Sequence, residues 1–156
     1  MTIYLAADHA GFALKEKIKK FLADRSYAVE DCGAYKLDPE DDYPDFIKKA
    51  AEAVAQCEKG SPSNSSGQPQ CRGIVIGGSG QGEAMVANRV KGVRAAVIYK
   101  FDKDIIRLSR EHNDANVLSL GVRFLEEKDA LRAVELWLNT AFSKEPRHKR
   151  RIDKLG

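Results

Sequence analysis

Residues 73–83 read GIVIGGSGQGE. Gly73–Ile76, with Arg72 before it, is an apolar run too short for a helix and suited to a buried strand. Gly77-Gly78-Ser79-Gly80-Gln81-Gly82 follows as a turn. A helix then begins near Gly82 and carries Glu83, Met85, Val86 and Ala87. Strand, glycine turn and helix in immediate succession are the repeating unit of a parallel sheet covered by helices.

The same alternation extends outward in both directions. Upstream, Thr2–Ala7 reads as a strand and Asp8-His9-Ala10-Gly11 as its turn. A helical pattern from Phe12 to Leu22 follows, with Phe12, Ile18, Phe21 and Leu22 on one face and lysines on the other. Tyr27–Cys32 is a second strand, ended by Gly33. The acidic stretch Lys36–Asp42, containing Pro39, is a loop. Asp42-Tyr43-Pro44-Asp45 starts a helix that runs to about Gln56, with Pro44 in its first turn. Downstream, Val93–Tyr99 and Val117–Leu120 are strands, and Asp102–Glu111 and Glu127–Phe142 are helices. Lys144-Glu145-Pro146 breaks the pattern before a basic helix over Arg147–Leu155. The expected fold is α/β: a doubly wound, Rossmann-like three-layer sandwich with a five-stranded parallel sheet and a C-terminal basic helix. One domain over residues 1–156 is expected. A flexible polar insert at about 58–71 (Gly60–Gln70 reads GSPSNSSGQPQ) interrupts it.

Composition narrows the class. The chain has 156 residues, 43% hydrophobic and 31% charged, with a net charge of +3. That describes a soluble globular protein with a real core. No apolar run approaches a membrane span, and MTIYLAADHAGF begins a strand rather than a secretory signal. A charge of +3 is too small to call for nucleic acid, and the basic C-terminal run lacks interleaved aromatics. Three cysteines, Cys32, Cys57 and Cys71, cannot all pair within one chain, and no CxxC occurs. A reducing, cytoplasmic compartment fits. Cys57 and Cys71 bracket the insert and could lie near each other, but a bond between them is not expected.

In a doubly wound sheet, ligands bind beyond the carboxyl ends of the strands. Asp8-His9, Gly77–Glu83 and Tyr99–Lys100 all follow strands and are expected on that edge. Gly77, Gly78, Gly80 and Gly82 leave backbone amides uncovered at a helix start, where an anion is attracted. A tight strand–helix joint explains the glycines equally well. The spacing departs from a dinucleotide fingerprint, since Met85 stands where the third glycine belongs, and no GxxxxGK[ST] is present. Glu83 reads first as a helix-start acid favoured by the dipole, and alternatively as a general base. Asp8 and His9 either cap a helix or polarise a hydroxyl and bind phosphate. His112-Asn113-Asp114 precedes the fifth strand, near Arg107 and Arg110. Arg147 and Arg151, four apart, share a helix face and form either a solvated pair or a fork for phosphate. Metal binding by Asp8, His9 and His112 is not expected, because no short ligand spacing such as HExxH occurs.

Taken together, the motifs resemble the ribose-5-phosphate isomerase B and galactose-6-phosphate isomerase family over nearly the whole chain. They are Ala7-Asp8-His9-Ala10-Gly11-Phe12, Asp42-Tyr43-Pro44, Gly77–Glu83, Ala87-Asn88-Arg89, Ser109–Asp114, Leu120-Gly121-Val122-Arg123 and Arg147-His148. The resemblance implies a homodimer, sometimes a dimer of dimers, with its active site in the subunit interface. It implies no metal and no organic cofactor, a sugar phosphate as substrate, and proton transfer between C1 and C2. By resemblance, Asp8 and His112 assist ring opening. His9, Arg147 and Arg151 hold the phosphate, the last two from the partner subunit, and Arg123 is a further arginine at the site. Ser79 and the amides of Gly78, Gly80, Gln81 and Gly82 hold the enediolate oxygens. Asn113 orients a substrate oxygen, and Tyr43 lines the site. One branch of the family uses a cysteine at the position of Gly77. Glycine there places this chain with the branch whose base is a glutamate after the turn, which makes Glu83 the base. Ribose 5-phosphate is the expected substrate, with allose or galactose 6-phosphate as alternatives. A non-catalytic module that binds phosphometabolites is the further one.

Overall fold

A computed structural model describes residues 1–60 and 71–155; most of the expected insert lies outside the described residues. The elements are β1 (Thr2–Ala7), α1 (Phe12–Ala23), β2 (Ala28–Asp31), α2 (Pro44–Gly60), β3 (Cys71–Gly77) and α3 (Gln81–Ala87). They continue with β4 (Ala95–Ile98), α4 (Lys103–Glu111), β5 (Val117–Gly121), α5 (Glu127–Asn139) and α6 (Pro146–Ile152). Among the described residues the five strands are all parallel, in the order β2-β1-β3-β5-β4.

Each central strand alternates between two cores. Ile3 and Leu5, Ile74 and Ile76, and Leu118 and Leu120 face α1 and α5, where Ile18, Leu22, Val134 and Trp137 are buried. Ala6, Val75 and Val117 face the opposite layer, against Ile47, Ala50, Val54 and Ala87 of α2 and α3. Burial on both sides explains why these strands are largely apolar. The chain leaves β1 for β2 on one side and returns to β3 on the other. The crossover therefore reverses at the β1/β3 boundary, where a crevice opens at the carboxyl ends. Ala7 is level with Ile76, and Gly77 with Gly121, so β1, β3 and β5 end in one row.

Two expectations are corrected. Lys15 is fully buried rather than on a lysine-covered outer face. Its Nζ reaches both Asp31 oxygens at 2.7 and 2.8 Å and the Ala34 carbonyl at 2.6 Å, so its charge is fully engaged. Burial pushes the Asp31 carboxyl up, but bonds from Lys15, Lys19 and the Gly33 amide bring it below its ordinary value. The second correction is a disulfide between Cys57 and Cys71. α2 runs four residues beyond Gln56 and packs on β3, which brings its last turn beside the first residue of that strand. The Cα atoms are 6.5 Å apart, within the span a disulfide bridges. Cys32 remains a free, buried thiol, pushed up to about 11 mainly by burial and further by Glu30 and Asp31.

Candidate active site

The upper edge of the sheet, at the carboxyl ends of the strands, holds one group of the expected residues. The turn after β3 is pinned from β5: Val122 and Arg123 donate backbone bonds to the carbonyls of Gly77 and Gly78, each at 3.0 Å. The Ser119 hydroxyl donates to the Gly80 carbonyl at 2.6 Å. Gly80 has φ +77°, a left-handed conformation that glycine adopts without strain. Ser79 Oγ accepts from the Gln81 amide at 3.3 Å.

Glu83 folds back from the first turn of α3 and is only 4% exposed. A Cβ placed on Gly77 would lie 1.8 Å from its Oε1 and 2.2 Å from its Cδ. The Glu83 carboxylate thus fills the volume that any side chain at Gly77 would need. Glycine at 77 and glutamate at 83 form one structural unit. Burial raises the Glu83 carboxyl above its ordinary value and the neighbouring Asp8 adds to this; backbone groups of Glu83 and Gly80 oppose it. A carboxylate displaced toward neutrality beside a turn rich in amides has the properties of a general base. Gly77→Ala is expected to fold, because the clash falls on the end of a flexible side chain. It should displace the carboxylate by an ångström or more and lower kcat by about 100-fold, which steady-state kinetics beside a circular dichroism spectrum would check.

Around Glu83, Asp8 is 6% exposed and its Oδ1 accepts from the Gly11 amide at 3.0 Å. The Tyr43 ring lies against Gly82, and the Arg123 guanidinium against Gly78. His9, which feels Arg123 electrostatically, pairs through Nδ1 with Asp41 Oδ1 at 2.6 Å. In the sequence Asp41 is one acid of an acidic loop. Its signal was positional, since the loop after β2 opens on the same edge as the turn after its neighbour β1. Tyr99 and Lys100 follow β4 and lie one strand beyond this group, outside β5.

The remaining expected residues lie elsewhere. α4 descends antiparallel to the strands, so His112 caps its carboxyl end near the lower edge, where β5 begins. Asp114 is held there by Arg94, just before β4, through its carbonyl at 2.9 Å and Oδ2 at 3.2 Å. Asn113 lines a cleft with Arg94 and Leu155. The His112 ring packs on that of His148, with centroids 4.1 Å apart. His148 is 2% exposed on α6, its Nδ1 2.7 Å from Ser143 Oγ. Burial lowers the His148 ring, and His112, Arg147 and Arg151 act in the same direction. Arg147 and Arg151 share one side of α6 and are exposed, with Arg147 Nε 2.7 Å from Glu145. Arg110 is internal rather than part of a site. It is fully buried, bonded to Asp114 at 2.8 Å, and packed over Trp137.

One chain therefore carries two separated groups of the expected residues, an upper and a lower. Asp8, His9, Tyr43, Ser79, Glu83 and Arg123 occupy the upper edge, and His112, Asn113, Arg147 and Arg151 the lower. Roughly 13 Å of strand separates the edges. A sequence model of the ribose/galactose isomerase family matches residues 3–155. The chain belongs to this family. The ribose-5-phosphate isomerase B of Mycolicibacterium paratuberculosis is 41% identical over 157 residues, covering 100% of this chain and 90% of that protein. The solved ribose-5-phosphate isomerase B of Clostridium thermocellum superposes with a TM-score of 0.85 at 43% identity, covering 100% of this chain and 95% of that one. The enzyme from Mycoplasma genitalium, solved with bound ribulose 5-phosphate, gives a TM-score of 0.86 at 37% identity, covering 99% and 93%. The chain is an isomerase of this family, with the parallel α/β sheet of its solved members.

Proposed function

We propose that this isomerase interconverts ribose 5-phosphate and ribulose 5-phosphate through a cis-enediolate, with Glu83 as the base. The reading is carried by the buried Glu83 carboxylate, seated over Gly77 beside the amide-lined turn. Glu83 takes the C2 proton and returns it to C1. One base serves both carbons because a cis-enediolate presents them on one face. Ser79 and the amides of residues 78–82 stabilise the oxygen charge that develops. Preformed dipoles do this with little reorganisation, and loss of one comparable donor costs about 3 kcal/mol. Asp8 and His112 open the furanose ring. His9, Arg123, Arg147 and Arg151 bind the phosphate, whose binding energy aligns C1 and C2 with the base. Tyr43 and Asn113 line and orient.

These roles require the upper half-site of one chain to meet the lower half-site of another. We propose a homodimer with two such composite sites. An interaction surface of suitable kind is present: β4 is an edge strand, and Met85, Tyr99, Ile105 and Leu108 are exposed beside it. A single domain over residues 1–156 carries the activity. Among the described residues no helix is long and apolar enough to cross a membrane. A cytoplasmic location suits a charged, membrane-impermeant substrate.

Turnover of ribose 5-phosphate, with allose and galactose 6-phosphates assayed alongside and EDTA present, tests the reading. Efficient pentose-phosphate turnover is expected. Preferential hexose-phosphate turnover would move the substrate, and binding of all three without turnover would overturn the enzyme reading.

A further inference from the structure

We infer that Asp41 is a positioning residue for phosphate binding: it clamps His9 so that the ring presents Nε2–H, as an imidazolium, to the anion. The inference rests on the proposed function, which assigns His9 to the phosphate, and adds a residue that none of the sequence motifs contains.

The geometry is specific. Asp41 Oδ1 accepts two bonds from the same residue, from the His9 amide at 3.1 Å and from His9 Nδ1 at 2.6 Å. One oxygen thereby fixes both the backbone and the ring, leaving Nε2 as the only ring nitrogen able to meet a ligand. The Asp41 side chain is 6% exposed, whereas that of His9 is 34% exposed. The carboxylate is the buried support and the imidazole the accessible tip. Among the described residues, none donates a hydrogen bond to the buried Asp41 Oδ2. A buried carboxylate oxygen without a donor is costly, and a cation on His9 compensates it better than a neutral ring does.

Neutral imidazole bonded through Nδ1–H has only a lone pair at Nε2, which repels phosphate; the imidazolium donates there. The charged groups facing His9 are Asp41, Asp8 and Arg123. The bond to Asp41 is the strongest influence and raises the ring above its ordinary value. Burial opposes it, Asp8 reinforces it and Arg123 opposes it. In the proposed dimer, Arg147 and Arg151 of a second copy add positive charge when the site closes. A carboxylate that keeps His9 charged has most value where cations crowd one anion.

The test compares wild type, Asp41→Asn and Asp41→Glu between about pH 6 and pH 8.5. In Asp41→Asn the KM for ribose 5-phosphate is expected to rise about tenfold at the alkaline end, the loss of one charge-assisted bond. The rise should be much smaller at the acid end, and kcat should change far less than KM. Asp41→Glu keeps a carboxylate and should recover part of the affinity. In a His9→Asn background, Asp41→Asn should add nothing. Superimposed KM–pH curves for wild type and Asp41→Asn would overturn the inference. A second readout needs no turnover: the His9 ring signal, one of three histidines, followed by NMR against pH. Its midpoint should fall in Asp41→Asn, and an unmoved midpoint also overturns the inference. If wild type turns over no sugar phosphate, the proposed reaction has failed, and the NMR titration with inorganic phosphate then decides on the His9–Asp41 pair by itself.

Discussion

Glu83→Gln is expected to abolish most turnover while leaving the fold intact. Gln has the same shape as Glu, so the volume over Gly77 stays filled and the turn keeps its geometry. It has no basic oxygen to take the C2 proton. Removal of a positioned acid–base group costs about 100- to 10,000-fold, and kcat for ribose 5-phosphate should fall within or beyond that range while KM moves little. The pH dependence follows from the same burial. Wild-type kcat/KM should fall on the acid side through a pKa above the ordinary glutamate value, because burial and Asp8 raise it. Stability should move oppositely to activity. A carboxyl whose folded pKa is raised contributes stability that is complete below its unfolded pKa and is lost as pH rises through the folded pKa. At neutral pH the ionised Glu83 is therefore a cost, and Glu83→Gln should melt at the same or a higher temperature than wild type. A gain in stability with a loss of rate marks a residue retained for chemistry. Near-normal kcat in the variant would remove Glu83 from its role.

The sequence was informative where periodicity or glycine carries the message. Among the described residues, β1, β3, β4 and β5 fall where short, largely apolar stretches lie between turn residues, and Pro44 opens α2. Periodicity reports which side of an element is apolar; it does not report which polar groups meet across elements. Lys15 sits among the lysines of α1 and looks solvated, yet the end of β2 and the Ala34 carbonyl make a complete shell for it. Asp41 is one of several acids in its loop, and only the sheet order places it against His9. The Cys57–Cys71 bond depends on how far α2 extends along β3, which composition around the insert conceals. Gly77 and Glu83 are the reverse case. Six residues apart, they are linked in the sequence through the family resemblance, and the structure supplies the reason: the glycine makes room for the carboxylate. The division of the site was not legible: only Arg147 and Arg151 are expected from a partner subunit, and by resemblance alone, and that His112 also lies at the lower edge, apart from Asp8, is seen only in the fold, where it ends α4.

That division leads to the second large effect. If each active site combines an upper half-site with the lower half-site of a second copy, two inactive variants should restore activity when mixed. Glu83→Gln damages the upper half and His112→Ala the lower. Each homodimer carries the same lesion in both sites. A heterodimer gathers both lesions into one site and leaves the other with intact Glu83 and intact His112. Random assortment makes half the dimers mixed, and half of their sites intact, so about a quarter of wild-type kcat per site is expected after the two are denatured and refolded together. The same variants mixed without subunit exchange should stay inactive. Because each loses a different group, the recovered activity should show wild-type KM and the wild-type acid limb, with only the number of working sites reduced. No recovery from a verified heterodimer would mean that a single chain holds both groups of one site. That outcome would require His112 to cross the thickness of the sheet edge to edge, which the antiparallel run of α4 opposes.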